Sequence, residues 1–365
     1  MRTIAVLNQK GGVGKTTTVV NCGAALAALG QRVVLVDLDP QAHLTIHLGL
    51  EPEQIETGSY RVLTQSAQID QEILPVRENL WVLPANINLV GAESELVSVV
   101  GRETILREAV EKVKDKFDYL MIDCPPSLGL LTLNALAAAD EVFIPLQPHF
   151  LALQGFGKLL QTVELVNRRI NPGLKVKGVL LCMYDTRASL PKEVKADIEQ
   201  FLDQARGTNC AWAKARILPV YIRRNIKLAE APSYGKTIFE YEQNCHGAED
   251  YTRVAQFIHD ETLESQHPQP EQIIAGDVAE QQPVSAVEAV EPQTEAAEPA
   301  EATEPVEIAD AAFEPDTKPQ IDKISVEESQ SHRAPIEIRP IPQPGPQTHI
   351  TAPSEPIVTP QHHES

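Results

Sequence analysis

Residues 3–17, TIAVLNQKGGVGKTT, pass from a short apolar, β-forming run into a glycine-rich loop and then into a helical pattern. That order restricts the architecture: a buried strand, a loop whose backbone can wrap phosphate oxygens, and a helix whose first amides point at them. The usual spacing of such a loop, Gly, four residues, Gly, Lys, Ser/Thr, asks for glycine at position 9. This chain has Gln9 there and adds Lys10. In the ordinary roles Gly11, Gly12, Val13, Gly14, Lys15, Thr16 and Thr17 hold the phosphates, with Lys15 at the β and γ groups and the Thr16 hydroxyl on magnesium. ATP and Mg2+ are the expected cofactors. Lys10 has no role in that pattern.

The alternation of strand and helix continues to about residue 265. Candidate strands fall at 3–8, 32–37, 79–85, 119–123, 141–146, 177–184 and 215–219, and most are apolar without alternation. Strands of that kind are buried on both faces, so the expected fold class is α/β: a P-loop nucleotide-binding domain with a mostly parallel sheet and helices on both faces. Residues 1–265 are assigned to it.

Residues 266–365 have a different composition. They hold 16 of the 28 prolines, a single aromatic, Phe313, and 4 Lys/Arg against 19 Asp/Glu. Ordering a residue costs about 1–2 kcal/mol of backbone entropy, and this segment has too little apolar surface to offset it. A disordered acidic tail is expected. It carries a net −15 of the total −20, leaving −5 for residues 1–265, so the overall acidity does not exclude nucleic acid as a partner. No apolar run of about eighteen residues and no signal-peptide pattern occurs, which points to a cytoplasmic protein. The five cysteines have no Cys-x-x-Cys spacing and are read as reduced thiols.

In parallel sheets, ligands bind at the carboxyl ends of the strands. VDLDPQ, after the second candidate strand, supplies Asp37 and Asp39, two apart and so on one side of an extended chain. LMIDCPP, after the fourth, supplies Asp123, where a magnesium-orienting carboxylate belongs. A carboxylate so placed can also brace the start of a helix, and for Asp37 both roles stay open.

NQKGGVGKTT, LVDLDPQAH, DYLMIDCPPSLGLLTLNAL, VLLCMYDTRASL and NIKLAEAPSYGKTI occur in that order. Together they resemble the ParA family of partition ATPases, most of all its chromosomal Soj type, over roughly residues 1–260. The resemblance implies Mg2+-dependent ATP hydrolysis by a nucleotide-sandwich homodimer. It makes Lys10 the lysine that reaches the partner's ATP and Lys15 the one that stays in its own site. It makes Asp39 the residue that positions or activates the attacking water, and Asp123 the carboxylate that orients magnesium through water. A physical argument for Lys10 stands beside this. Charge gathers on the terminal phosphates in the transition state, so a cation delivered only on dimerisation makes hydrolysis conditional on assembly.

Family members without an N-terminal DNA-binding domain bind double-stranded DNA nonspecifically as ATP dimers, and this sequence opens directly on the first strand. The family's DNA-contacting positions match Arg187 in DTRASL and Lys227 in RRNIKL, with Arg224 beside the latter as a further candidate. Lys227 stands where arginine is usual, and lysine neutralises a phosphate without gripping it bidentately. A ParB (Spo0J)-like partner that stimulates hydrolysis and a nucleoid-associated location are also implied. Two alternatives remain: a relative that positions a protein cargo by the same cycle, and a MinD-like division-site regulator. The latter ends in a basic amphipathic membrane helix, which APSEPIVTPQHHES does not provide, so no membrane partner is expected. ILPVYIRRN is longer than the family's usual block, which leaves the adenine and DNA contacts around residues 215–225 open.

Overall fold

A computed structural model describes residues 1–266 except Leu151. Its sheet contains β1 (Arg2–Val6), β2 (Val33–Asp37), β3 (Leu74–Arg77), β4 (Leu80–Leu83), β5 (Tyr119–Asp123), β6 (Glu141–Leu146), β7 (Lys175–Tyr184) and β8 (Arg216–Arg223). The spatial order is β3-β4-β2-β5-β1-β6-β7-β8, and every neighbouring pair is parallel except β3 with β4. The first half of the chain adds α1 (Lys15–Ala28), α2 (His43–His47), α3 (Ser59–Thr64), α4 (Ile69–Glu72), α5 (Leu89–Glu95) and α6 (Ile105–Glu111). Further along follow α7 (Leu130–Ala138), α8 (Ala152–Arg169), α9 (Ser189–Asp203), α10 (Lys227–Glu230), α11 (Ile238–Tyr241) and α12 (His246–Gln266).

The run VVLVD shows why the sheet is central: all five residues of β2 are buried, so neither face can be left to water. Successive strand side chains enter opposite cores. Val34, Val36, Leu120 and Ile122 pack under the layer that includes α5 to α9, while Val33, Leu35, Tyr119 and Met121 pack under α1, α11 and α12. Gly23 lets α1 lie close on the sheet, since a Cβ there would fall 2.5 Å from Leu35 Cδ2. Far from the phosphate loop, Arg2 ties β1 to α12 and β6, with Nη1 donating to the Ile258 carbonyl at 2.6 Å and Nη2 paired with Glu141. Cys22, Cys124 and Cys182 are buried, and all five thiols are free, as expected.

The seven anticipated strands are present, those at 119–123 and 141–146 with the expected bounds and the other five with ends moved by one to a few residues. β3 was not anticipated: it is a short, half-exposed edge strand containing Pro75, with no apolar run to mark it. The last strand runs on to Arg223 and takes up the long ILPVYIRRN block, and its pairing with β7 shifts register at Val179/Leu181 and at Cys182/Tyr184. Such irregularities absorb extra residues without ending the strand. The chain divides into two units, Met1–Val278 and Ala279–Ser365. Apart from Gln266, which ends α12, the tail expected to be disordered lies outside the described residues. No described helix is long and apolar enough to cross a membrane.

Candidate nucleotide site

The carboxyl ends of β1, β2, β5, β7 and β8 surround a cavity of about 900 Å³, large enough for a cofactor-sized ligand. One wall is the loop after β1. Gly12 (φ 73°) and Gly14 (φ 95°) hold left-handed conformations that a side chain resists. A Cβ at Gly11 or Gly12 would meet nothing within 4 Å, so this side of the backbone is open to a ligand. α1 starts without a side-chain cap and without an acidic residue in its first turn, which leaves its amides to an anion. Lys15 is buried with Nζ 3.5 Å from the Lys10 carbonyl, and Thr16 and Thr17 also line the cavity. Val13 is buried at the wall of a second, smaller cavity instead.

Thr16 Oγ1 donates to Asp123 Oδ2 at 2.6 Å. Asp123 Oδ1 is buried with no hydrogen-bond partner. Burial, and then the charge of Asp37, push this carboxyl well above the usual range, against the opposing Thr16 hydrogen bond and Lys15. A buried acceptor with no donor is costly, and a hydrated divalent cation beside the Thr16 hydroxyl would satisfy it. No described group of three or more His, Cys, Asp or Glu could hold a metal alone. Mg2+ takes one or two protein oxygens together with phosphates and water. Thr16 and Asp123 therefore fit a magnesium-bound nucleotide.

Asp37 and Asp39 diverge. The Asp39 amide donates to Asp37 Oδ1 at 3.1 Å, so the chain turns directly after β2 and the pair does not share one extended side. Asp37 is fully buried and its Oδ2 accepts the Thr45 amide at 2.9 Å and hydroxyl at 2.7 Å, bracing α2. Burial pushes its carboxyl up to about 6, against those hydrogen bonds. Of its two open roles, the geometry shows the helix brace. Asp39 lines the cavity, with Oδ1 accepting the Gln41 amide at 3.0 Å and Oδ2 unbonded among the described residues.

Lys10 is not part of the large cavity's wall. Its amide donates to Asn8 Oδ1 at 3.0 Å, and its exposed side chain contacts Nε2 of His149. Both line the second cavity, of about 240 Å³. The two lysines of the loop are thus directed to different places.

The basic candidates gather beyond the carboxyl ends of the neighbouring strands β7 and β8. Arg187 is exposed and paired with Asp185 at 3.2 Å. Lys227 pairs with Glu230 at 2.9 Å and lies 5.6 Å from the centre of the Tyr241 ring. Arg224 is exposed and has no ion pair among the described residues. Two contributors escaped sequence reasoning. Glu93 of α5 lines the large cavity and accepts the Leu131 amide at 3.3 Å, at the start of α7, while His149 meets Lys10. Neither lies in a motif, and only the folded topology brings them to the loops they touch.

A family model described as an AAA domain matches residues 1–176. The sporulation initiation inhibitor protein Soj of Bacillus subtilis is 46% identical over 256 residues, covering 70% of this chain and 97% of that protein. The chromosome partitioning protein ParA of Myxococcus xanthus is 43% identical over 251 residues, covering 68% of this chain and 85% of that protein. A solved structure of cobyrinic acid a,c-diamide synthase from Mycobacterium smegmatis, with bound ADP and magnesium, is similar with a TM-score of 0.61 and 37% identity over 74% of this chain and 97% of that one. With 46% identity to the Bacillus protein across 97% of that protein's length, the chain belongs to the ParA/Soj family of chromosome-partitioning ATPases.

Proposed function

We propose that this protein is a Mg2+-dependent ATPase whose ATP-bound form is a homodimer that coats double-stranded DNA without sequence preference. Hydrolysis, stimulated by a ParB-like partner, releases it, and repeated cycles segregate a DNA cargo on the nucleoid in the cytoplasm. The observation that carries this reading is the separation of the two lysines: Lys15 is buried at its own cavity, and Lys10 extends outside it. A cation held outside its own site is free to complete the site of a second copy.

Magnesium-bound ATP, when present, supplies the terminal phosphoryl group and the charge that gathers on it in the transition state. The chain's part is placement. The backbone of residues 11–17 and Lys15 would hold the phosphates, and Thr16 and Asp123 would hold the ion. Asp39, with one unbonded carboxylate oxygen at the wall, orients the attacking water. Lys10 of the second copy then neutralises charge that the first copy cannot reach. The names of the Soj and ParA relatives, and the ADP and magnesium bound in the Mycobacterium structure, support this assignment.

DNA contact is assigned to Arg187, Arg224 and Lys227. Of the pairs that Arg187 and Lys227 would exchange for phosphates, Arg187–Asp185 is largely exposed and Lys227–Glu230 partly so, and pairs open to water contribute little. The ATPase cycle is assigned to residues 1–265, with residues 266–365 as an acidic appendage. Co-sedimentation with double-stranded DNA in ATP, in ADP and without nucleotide tests the switch. Binding is expected with ATP only, and equal binding in all three conditions would refute it.

A further inference from the structure

We infer that His149 is a positioning residue for Lys10: its neutral ring holds the lysine against its own subunit, and release of that contact is part of joining two copies. This rests on the reading of Lys10 as a cation delivered in trans. The contact is between Lys10 Nζ and His149 Nε2. An ammonium has donors and no acceptor, so Nε2 must be unprotonated to receive it.

The surroundings make the side chain of Lys10 the movable part. Asn8 pins the loop to β6 by donating from Nδ2 to the Pro145 carbonyl at 2.7 Å, and its Oδ1 accepts the Lys10 amide at 3.0 Å. The backbone at Lys10 is therefore fixed, while its side chain is exposed. The small cavity around the contact is walled by Asn8, Gln9 and Val13 from the loop, Gln147 after β6, and Ala152 and Gly155 from α8. None of these titrates. Among the described residues lining that cavity, Lys10 is the one charged group facing the imidazole.

Protonation of His149 would therefore set two cations together with no carboxylate between them, and the lysine would leave. Partial burial and the Lys10 charge hold His149 below its ordinary value of 6.5. The contact is intact above that value and is lost as pH falls through the lowered one.

The first test is a titration of His149 in the full chain labelled with 15N-histidine, with His149→Gln identifying the signal. The midpoint should rise in Lys10→Ala; an unmoved midpoint overturns the contact and with it the inference, and leaves the trans reading of Lys10 standing. The second is the ATP concentration for half-maximal dimerisation, at about pH 8 and at about one pH unit below the midpoint found in the first test. His149→Ala should lower it about fivefold at the higher pH, the size of one modest hydrogen bond, and should be flat between the two. His149→Gln retains an oxygen that accepts from Lys10, so it should match the wild type at the higher pH and lose the pH response. Wild-type behaviour of His149→Ala would overturn the inference even with a shifted titration. Dimerisation of Lys10→Ala at the wild-type ATP concentration would remove the trans reading and the inference together.

Discussion

Asp123 and His47 are both buried with one polar atom unpartnered, and they call for different explanations. Asp123 lies under the phosphate loop, where an ion can satisfy it. His47 lies against the Lys236 backbone, and burial, with the Lys236 hydrogen bond opposing it, lowers its imidazole to about 4. The unfolded chain binds a proton on this group between about 6.5 and 4 that the folded chain does not. Its contribution is thus complete above about 6.5 and is lost as pH falls toward 4, by up to about 3 kcal/mol. Urea unfolding should show a lower midpoint at about pH 5 than at about pH 7, and His47→Leu should flatten that difference. An unchanged difference would assign the pH response to other groups. Asp39→Ala should retain ATP binding, lose about a hundredfold or more in turnover and leave the dimer trapped on DNA. Undiminished turnover would remove Asp39 from the chemistry. Gly12, Gly14, Lys15 and Thr16 were legible in the sequence because a left-handed turn and a helix start are local requirements. Glu93 and His149 were not, because their roles exist only once α5 and the segment after β6 pack beside the loops they touch.

At the scale of elements, the end of β8 decides the shape of the cavity. The Arg223 amide and Nε donate to Asp250 at 2.9 and 3.0 Å, and Nη2 donates to Glu249 at 2.6 Å, which clamps β8 onto α12. Ile222 and Asn225, on either side of this clamp, line the cavity. Asp250→Ala leaves the Arg223 amide and charge short of their buried acceptor, and should cost about 2–4 kcal/mol with a severalfold loss of nucleotide affinity. Urea unfolding and a nucleotide titration check this; a loss of stability under about 0.5 kcal/mol would show that the clamp is incidental. The buried strands β1, β2, β5 and β6 could be located from sequence because they are short, continuous apolar runs. β3 could not, because LPVR is half exposed and gains its strand form from pairing with β4. The extent of β8 was hidden by Pro219 and by a pattern that the register shifts against β7 interrupt.

For the whole molecule, the distribution of charge matters more than its sum. Residues 1–265 carry −5 and residues 266–365 carry −15, and an appendage of that charge has two open roles, competition with DNA or recruitment of another protein. If the tail competes, residues 1–265 alone bind DNA more tightly than the full chain at low salt, with the difference vanishing at high salt; equal affinities at low salt leave recruitment as its role. Each phosphate contact contributes about 0.9 to the salt slope, so Arg224→Ala should reduce the slope of a dimer by about 2, and an unchanged slope would exclude it from the DNA face. The proposed function joins these scales by making hydrolysis conditional on assembly, which requires Lys10 to act on the other copy's nucleotide. Mixing Lys10→Ala with Asp39→Ala chains tests that directly, since a mixed pair contains one site with its own Asp39 and a Lys10 from the partner. Each variant alone should be inactive and the mixture should regain ATP turnover. A mixture as inactive as its components, or a Lys10→Ala chain active by itself, would contradict action in trans.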